Sequence, residues 1–220
     1  MNKTIQFGED VPGYPIRVLN EREIRAAAGI LFLGTLLSFL LILFKNNFVP
    51  VKYLITLFFI DFLIRVFISP RYAPMLIIGR LIVSGQTPEY VGARQKRFAW
   101  AVGLFLSATM FVFLVWVNAY SPITGITCAI CLIFLFFESA FGICLACKFY
   151  SLLFREKAQY CPGEVCDRKE KQAIQKTNGV QWLVLLAFIA LFYLLTAYAT
   201  DFYHRKPYDL FGLFTTAKTK

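Results

Sequence analysis

One histidine, His204, stands in a chain of 220 residues, and charged side chains make up only 16% of it. The histidine follows the last apolar run beside Arg205 and Lys206, a cluster suited to a membrane interface rather than to a ligand or a base. No glycine-rich loop for cradling phosphate, no serine–histidine arrangement and no paired-carboxylate set is recognisable. Helix-turn-helix, Cys-His finger and aromatic RNA-binding signatures are missing too, so nucleic acid is not an expected partner despite 23 basic against 13 acidic residues. The resulting charge of +10 suits membrane orientation and contact with anionic lipid head groups.

What the chain does have is apolar bulk. Hydrophobic residues reach 58%, with 24 phenylalanines, above the roughly 45–50% of soluble domains. This predicts an all-α, polytopic integral membrane helix bundle. A span needs about 20 apolar residues, because each rises about 1.5 Å through a core about 30 Å thick. Segments 24–44, 51–68, 98–118 and 180–200 qualify, and a fifth lies between Pro122 and Phe154, giving five predicted spans. That last segment would reach roughly 50 Å as one helix, so it must tilt, project or break near Gly142. Residues 72–84, "YAPMLIIGRLIVS", are too short to cross and carry Arg80, which predicts an interfacial helix. The opening "MNKTIQFGEDVPGYPIRVLN" lacks the apolar run of a secretory signal, so the first span is expected to remain in the mature protein. Trp100, Trp116, Trp182, Tyr193 and Tyr198 fit interfacial belts and call for no cofactor.

Basic residues set the orientation. Lys3, Arg17 and Arg22 in the first segment, Arg71, Arg80, Arg94, Lys96 and Arg97 in the 69–97 connection, and Arg155, Lys157, Arg168, Lys169, Lys171 and Lys176 beyond the fourth span share one side. Opposing them are Lys45, Lys52 and the tail's Arg205, Lys206, Lys218 and Lys220. The count predicts a membrane protein with a cytoplasmic N-terminus and an external C-terminus. The expected organisation is a cytoplasmic arm at 1–21, a four-span core at 22–154, a cytoplasmic cysteine-containing loop at 155–179, a fifth span at 180–200 and a tail at 201–220.

All six cysteines fall between positions 128 and 166, in three pairs. Residues three apart on a helix have Cα atoms roughly 5 Å apart, inside the window for a disulfide. Cys128 and Cys131 read as small apolar side chains filling helix contacts. Cys144 and Cys147 lie toward the end of a span, where low dielectric and the negative end of the helix dipole disfavour a thiolate. A break at Phe141-Gly142 would reverse that by placing Cys144 in the first turn of a new helix. Cys161 and Cys166 bracket "PGEV" in the next connection, and the four sulfurs then read C-x2-C, x13, C-x4-C. This admits a thiol relay, a zinc or iron–sulfur site, or unconnected cysteines.

Charges inside spans require partners. Asp61 and Arg65 are four apart on the second span and can pair on one face, as a brace or as a binding site for an anion. Glu138 has no basic neighbour on its own helix, shares a face with Cys131 rather than Cys144, and needs a partner elsewhere.

Taken in order, "NEREIRAAAG" at 20–29, "DFLIR" at 61–65, "SPRYAPM" at 69–75, "RFAWAVG" at 97–103 and "FGICLACKFY" at 141–150 resemble a bacterial membrane-protein family, domain of unknown function 4395. The resemblance covers about residues 17 to 153 and implies a compact four-helix protein with a Phe-Gly-x-Cys-x-x-Cys element near its end. No established activity comes with it. Some members accompany thioredoxin-like or rhodanese-like proteins, which implies such a partner and sulfur or thiol chemistry. This chain departs from the pattern at Gln95, Lys96 and Ala146 and in its fifth span and tail.

Three classes of function follow. The first is a thiol-redox or sulfur-handling site at Cys144 and Cys147, relayed by Cys161 and Cys166. The second is a small-anion carrier with Arg65 as binding charge and Glu138 as proton site. The third is a noncatalytic scaffold subunit of a membrane complex. No clear internal repeat supports a carrier, which ranks it below the first.

Overall fold

The computed structural model describes residues 7–12, 14, 16–148 and 177–211. The chain is mostly helical. After a short strand β1 (Val18–Asn20), Asn20 caps helix α1 (Glu21–Lys45), its side chain accepting the Arg22 amide at 3.2 Å. Helix α2 (Val49–Leu63) continues through a π-turn (Ile64–Ile68), and a 3-10 turn leads into α3 (Pro74–Ile82). Strand β2 (Tyr90–Gly92) precedes α4 (Ala93–Phe111), which widens into a second π-turn (Val112–Trp116). Beyond β3 (Ala119–Tyr120), α5 (Pro122–Phe136) starts with a Ser121–Thr124 capping box and ends in a third π-turn (Phe137–Phe141). Helices α6 (Gly179–Tyr198) and α7 (Thr200–His204) and strand β4 (Tyr208–Asp209) complete the described chain.

Four of these helices are long and apolar enough to cross a membrane: α1, α4 and α5 with their π-turns, and α6. Their outward faces carry bare apolar side chains such as Leu33, Phe105, Ile126 and Leu186, as expected of surfaces in contact with lipid. Segment 51–68 is also helical, but α2 and its π-turn carry Lys52, Asp61 and Arg65, all buried. The over-long segment breaks at Gly142, where φ is +65°.

The two ends of the bundle differ. At one end β1 pairs antiparallel with β2, Arg22 meets Glu89 at 2.8 Å, and Gln181 Nε2 donates to the Arg71 carbonyl at 2.8 Å. This charged end gathers the starts of α1, α4 and α6 and the close of α2 and α5. At the far end β3 runs parallel to β4, and the Lys52 ammonium donates to Asn118 Oδ1 at 2.6 Å and to the Arg205 carbonyl at 2.5 Å.

Helix α3 packs tightly against α1. Gly79 presses on α1 so closely that a Cβ there would sit 2.5 Å from the Glu23 carbonyl oxygen. Arg80, expected at an interface, is buried with its Nε 3.1 Å from Glu23 and an Nη 3.7 Å from Glu9. The core joining the helices is built on Leu31, Phe58, Phe62, Leu76 and Trp100.

Candidate functional site

Gly142 ends α5 because its left-handed backbone turns the chain where a side chain would be strained. Its amide and that of Ile143 return to the carbonyls of Glu138 and Phe137 at 3.1 and 3.0 Å. A Cβ on Gly142 would meet the Arg25 guanidinium at 3.2 Å, so α1 closes over the turn. The chain then re-enters helix at 145–148. Cys144 stands at the capping position of that turn: its carbonyl accepts the Lys148 amide at 3.2 Å, and its sulfur accepts the Cys147 amide at 3.2 Å. Cys144 and Cys147 are joined by a disulfide, with Cα atoms 5.2 Å apart. On reduction, the amide that points at Cys144 would stabilise its thiolate.

Cys144 opens on a cavity of about 90 Å³ at the charged end. Its walls are largely apolar, among them Phe58, Phe62, Trp100 and Phe134, and its polar groups include Arg65, Lys96, Ser107 and Glu138. Trp100 and Ile24 also wall a second, more polar cavity of about 270 Å³ that reaches Arg71 and Arg80.

Two buried charge sets support the first cavity. Arg65 Nη2 lies 2.6 Å from Asp61 Oδ2, a charge contact off the line of a hydrogen bond, and the guanidinium packs over the rings of Phe62 and Trp100 at 4.8 and 5.3 Å. Asp61 Oδ1 accepts the Met75 amide at 2.8 Å, fixing the start of α3. Arg65 Nε has no hydrogen-bond partner among the described residues. In the second set, Lys96 Nζ lies 3.0 and 2.9 Å from the two oxygens of Glu21 and also pairs with Glu138.

The Asp61–Arg65 pair thus forms as its spacing predicts, and Glu138 finds its partner on another helix. Glu138 was expected to face away from Cys144. The chain break overturns that expectation, since leaving the helix at Gly142 brings both residues to the wall of one cavity. Cys131 lines the same cavity, whereas Cys128 is packed with Val51, Ile55, Met110 and Leu114. Cys161 and Cys166 lie outside the described residues, as does any relay or four-thiolate site built on them. A disulfide offers no thiolate, so a zinc or iron–sulfur site using Cys144 and Cys147 would require the pair reduced.

Sequence reasoning missed Lys96, Glu21, Glu23 and Arg25. Lys96 was counted among connecting charges and proves to be 1% exposed within α4. A usable signal was present: two acidic residues open an apolar span, where counting Lys and Arg alone passes over them.

The profile of Domain of unknown function (DUF4395) matches residues 19–155, more than half of the chain. The protein belongs to this family. The DUF4395 segment contains α1 to α5, both charge sets and the Cys144–Cys147 pair, while α6 and the tail follow it. No curated protein and no solved structure matches the chain.

Proposed function

We propose that this DUF4395 protein is a thiol–disulfide exchange protein of the bacterial inner membrane, with Cys144 and Cys147 as its reactive pair. The observation that carries this reading is the position of Cys144: bonded to Cys147, capped by that residue's amide, and open to a cavity holding Arg65 and the Lys96–Glu138 ion pair. The Cys147 amide and the nearby guanidinium favour Cys144 as the sulfur that departs when the disulfide opens. An incoming thiolate attacks Cys147, the disulfide breaks, and the electron pair departs on Cys144. A second thiol then resolves the mixed disulfide and leaves the protein dithiol. Cys161 and Cys166 are the proposed relay, and a thioredoxin-like or rhodanese-like protein is the proposed exchange partner.

In this reading α2 is a fifth span. Val49–Ile68 would rise about 30 Å, and its charges are turned inward, with Lys52, Asp61 and Arg65 each 3% exposed or less. The charged end faces the cytoplasm and the β3–β4 end faces outward, in keeping with the distribution of basic residues. An impermeant thiol reagent added to intact cells should then leave Cys161 and Cys166 unlabelled; labelling would invert the orientation.

The decisive experiment is thiol trapping in native membranes. The wild-type pair should cycle between oxidised and reduced forms, and Cys144→Ser should accumulate mixed disulfides through Cys147. A pair locked in one state, together with normal cellular behaviour of a Cys144→Ser, Cys147→Ser protein, would sink the proposal. The unfilled Nε of Arg65 supports a second reading, a small-anion site in the same cavity. That reading predicts anion binding by the double cysteine variant and its loss on Arg65→Ala.

A further inference from the structure

Reducing a disulfide takes up two protons as well as two electrons, and a thiolate left in an apolar cavity is costly. A proton donor must therefore reach the departing sulfur. Among the residues lining the cavity with Cys144, Glu138 is the one carboxyl group. Its carboxylate pairs with Lys96, which pairs in turn with Glu21, so two buried carboxylates share one ammonium. Lys96 can balance one of those charges, and a proton taken up by the set offsets the other.

The surrounding charges leave that arrangement in place. From α1, Arg25 lies against Gly142, is partly exposed, and is 3.9 Å from Glu89, which also pairs with Arg22. From α2 and its π-turn, Arg65 is matched by Asp61. From α5, Cys131 faces the same cavity. At about 90 Å³ the cavity exceeds the roughly 10–15 Å³ that one water needs, so a proton can pass to sulfur through water.

We infer that Glu138, held by Lys96 and through it linked to Glu21, is the proton donor and acceptor for Cys144 during disulfide exchange. The inference rests on the thiol–disulfide reading and adds the route of the proton. A dithiol attacks Cys147 through its first thiolate, whose proton has gone to solvent. The disulfide breaks, and Cys144 leaves with the electron pair and takes, through Glu138, the proton shared by the Glu21–Lys96–Glu138 set. The second thiol attacks the mixed disulfide, closing the external disulfide, and its proton goes to the departing Cys147. Glu138 recovers a proton from solvent, and the sum is one protein disulfide and one dithiol giving one protein dithiol and one external disulfide.

The test uses the full chain in lipid nanodiscs with dithiothreitol as the dithiol. Glu138→Gln should slow reduction of the pair roughly 100-fold, the lower end of what general acids contribute, and should flatten the pH profile of the rate. Glu138→Asp should recover part of both. Reduction of the wild type should also shift the carboxylic-acid carbonyl band in infrared difference spectra, because the neighbour of Glu138 changes from disulfide to thiol, a readout that does not depend on any variant folding. A wild-type rate and pH profile in Glu138→Gln, or no carboxyl change on reducing the wild type, would overturn the assignment while leaving the thiol reading intact. A wild-type pair that dithiothreitol cannot reduce would overturn both.

Discussion

The Lys96 ammonium lies 2.9 Å from the Glu21 carboxylate, tying the first turn of α4 to the first residue of α1 inside the protein. Glu138 closes the set from α5. Three helices far apart in sequence are thus held at one end by opposite charges shielded from water, and removing one member leaves the others unbalanced.

Lys96→Met should lower the stability of the nanodisc-embedded protein by about 3–5 kcal/mol, because it leaves the buried Glu21 carboxylate and the largely buried Glu138 without their cation. Lys96→Met with Glu21→Gln and Glu138→Gln should restore much of the loss. Melting temperatures of the two variants provide the comparison, and equal values would mean that the charges are not coupled.

Arg65→Ala should be more harmful than Asp61→Asn combined with Arg65→Ala. The single change leaves a buried, unpaired carboxylate, whereas the double change removes the charge and keeps an oxygen able to accept the Met75 amide. The expected difference is on the order of 2 kcal/mol. Unfolding of the two proteins under identical conditions checks it.

Gly142→Ala should cost about 1–2 kcal/mol for the left-handed backbone alone, and it pushes the Arg25 guanidinium off the turn. Gly125→Ala in α5 is the control, since a Cβ there meets nothing within 4 Å. That control should be neutral or slightly stabilising. If both melt alike, the turn at Gly142 does not depend on glycine.

Lys52→Met should loosen the far end, where the ammonium bonds both Asn118 and the Arg205 carbonyl. Limited trypsin digestion of the nanodisc-embedded protein should cut after Arg205 several-fold faster than in wild type, with the charged end unaffected. Unchanged cleavage would mean that the β3–β4 pairing holds the tail without Lys52.

Much of the fold was legible because a bilayer is a demanding solvent. Unbroken apolar runs forecast α1, α4, α5 and α6, and Gly142 marked the break in the over-long segment. The Asp61–Arg65 pair was readable because its partners are four apart on one helix, where geometry is local. The Lys96 set was not, since its members are 75 and 42 residues apart and nothing local links them. The partner of Arg80 was not legible for the same reason, since Glu23 stands on α1, far away in sequence.

The sequence by itself determined a helical membrane protein with a Cys-x-x-Cys element beyond a helix-breaking glycine, because span length, helical spacing and backbone freedom are properties of adjacent residues. Only the tertiary structure decided which charges are sealed inside, and that Cys144, Glu138, Lys96 and Arg65 share one cavity. Those relations depend on how helices stack and where the chain turns between them. The energy that selects them comes from burying charge against charge across the bundle.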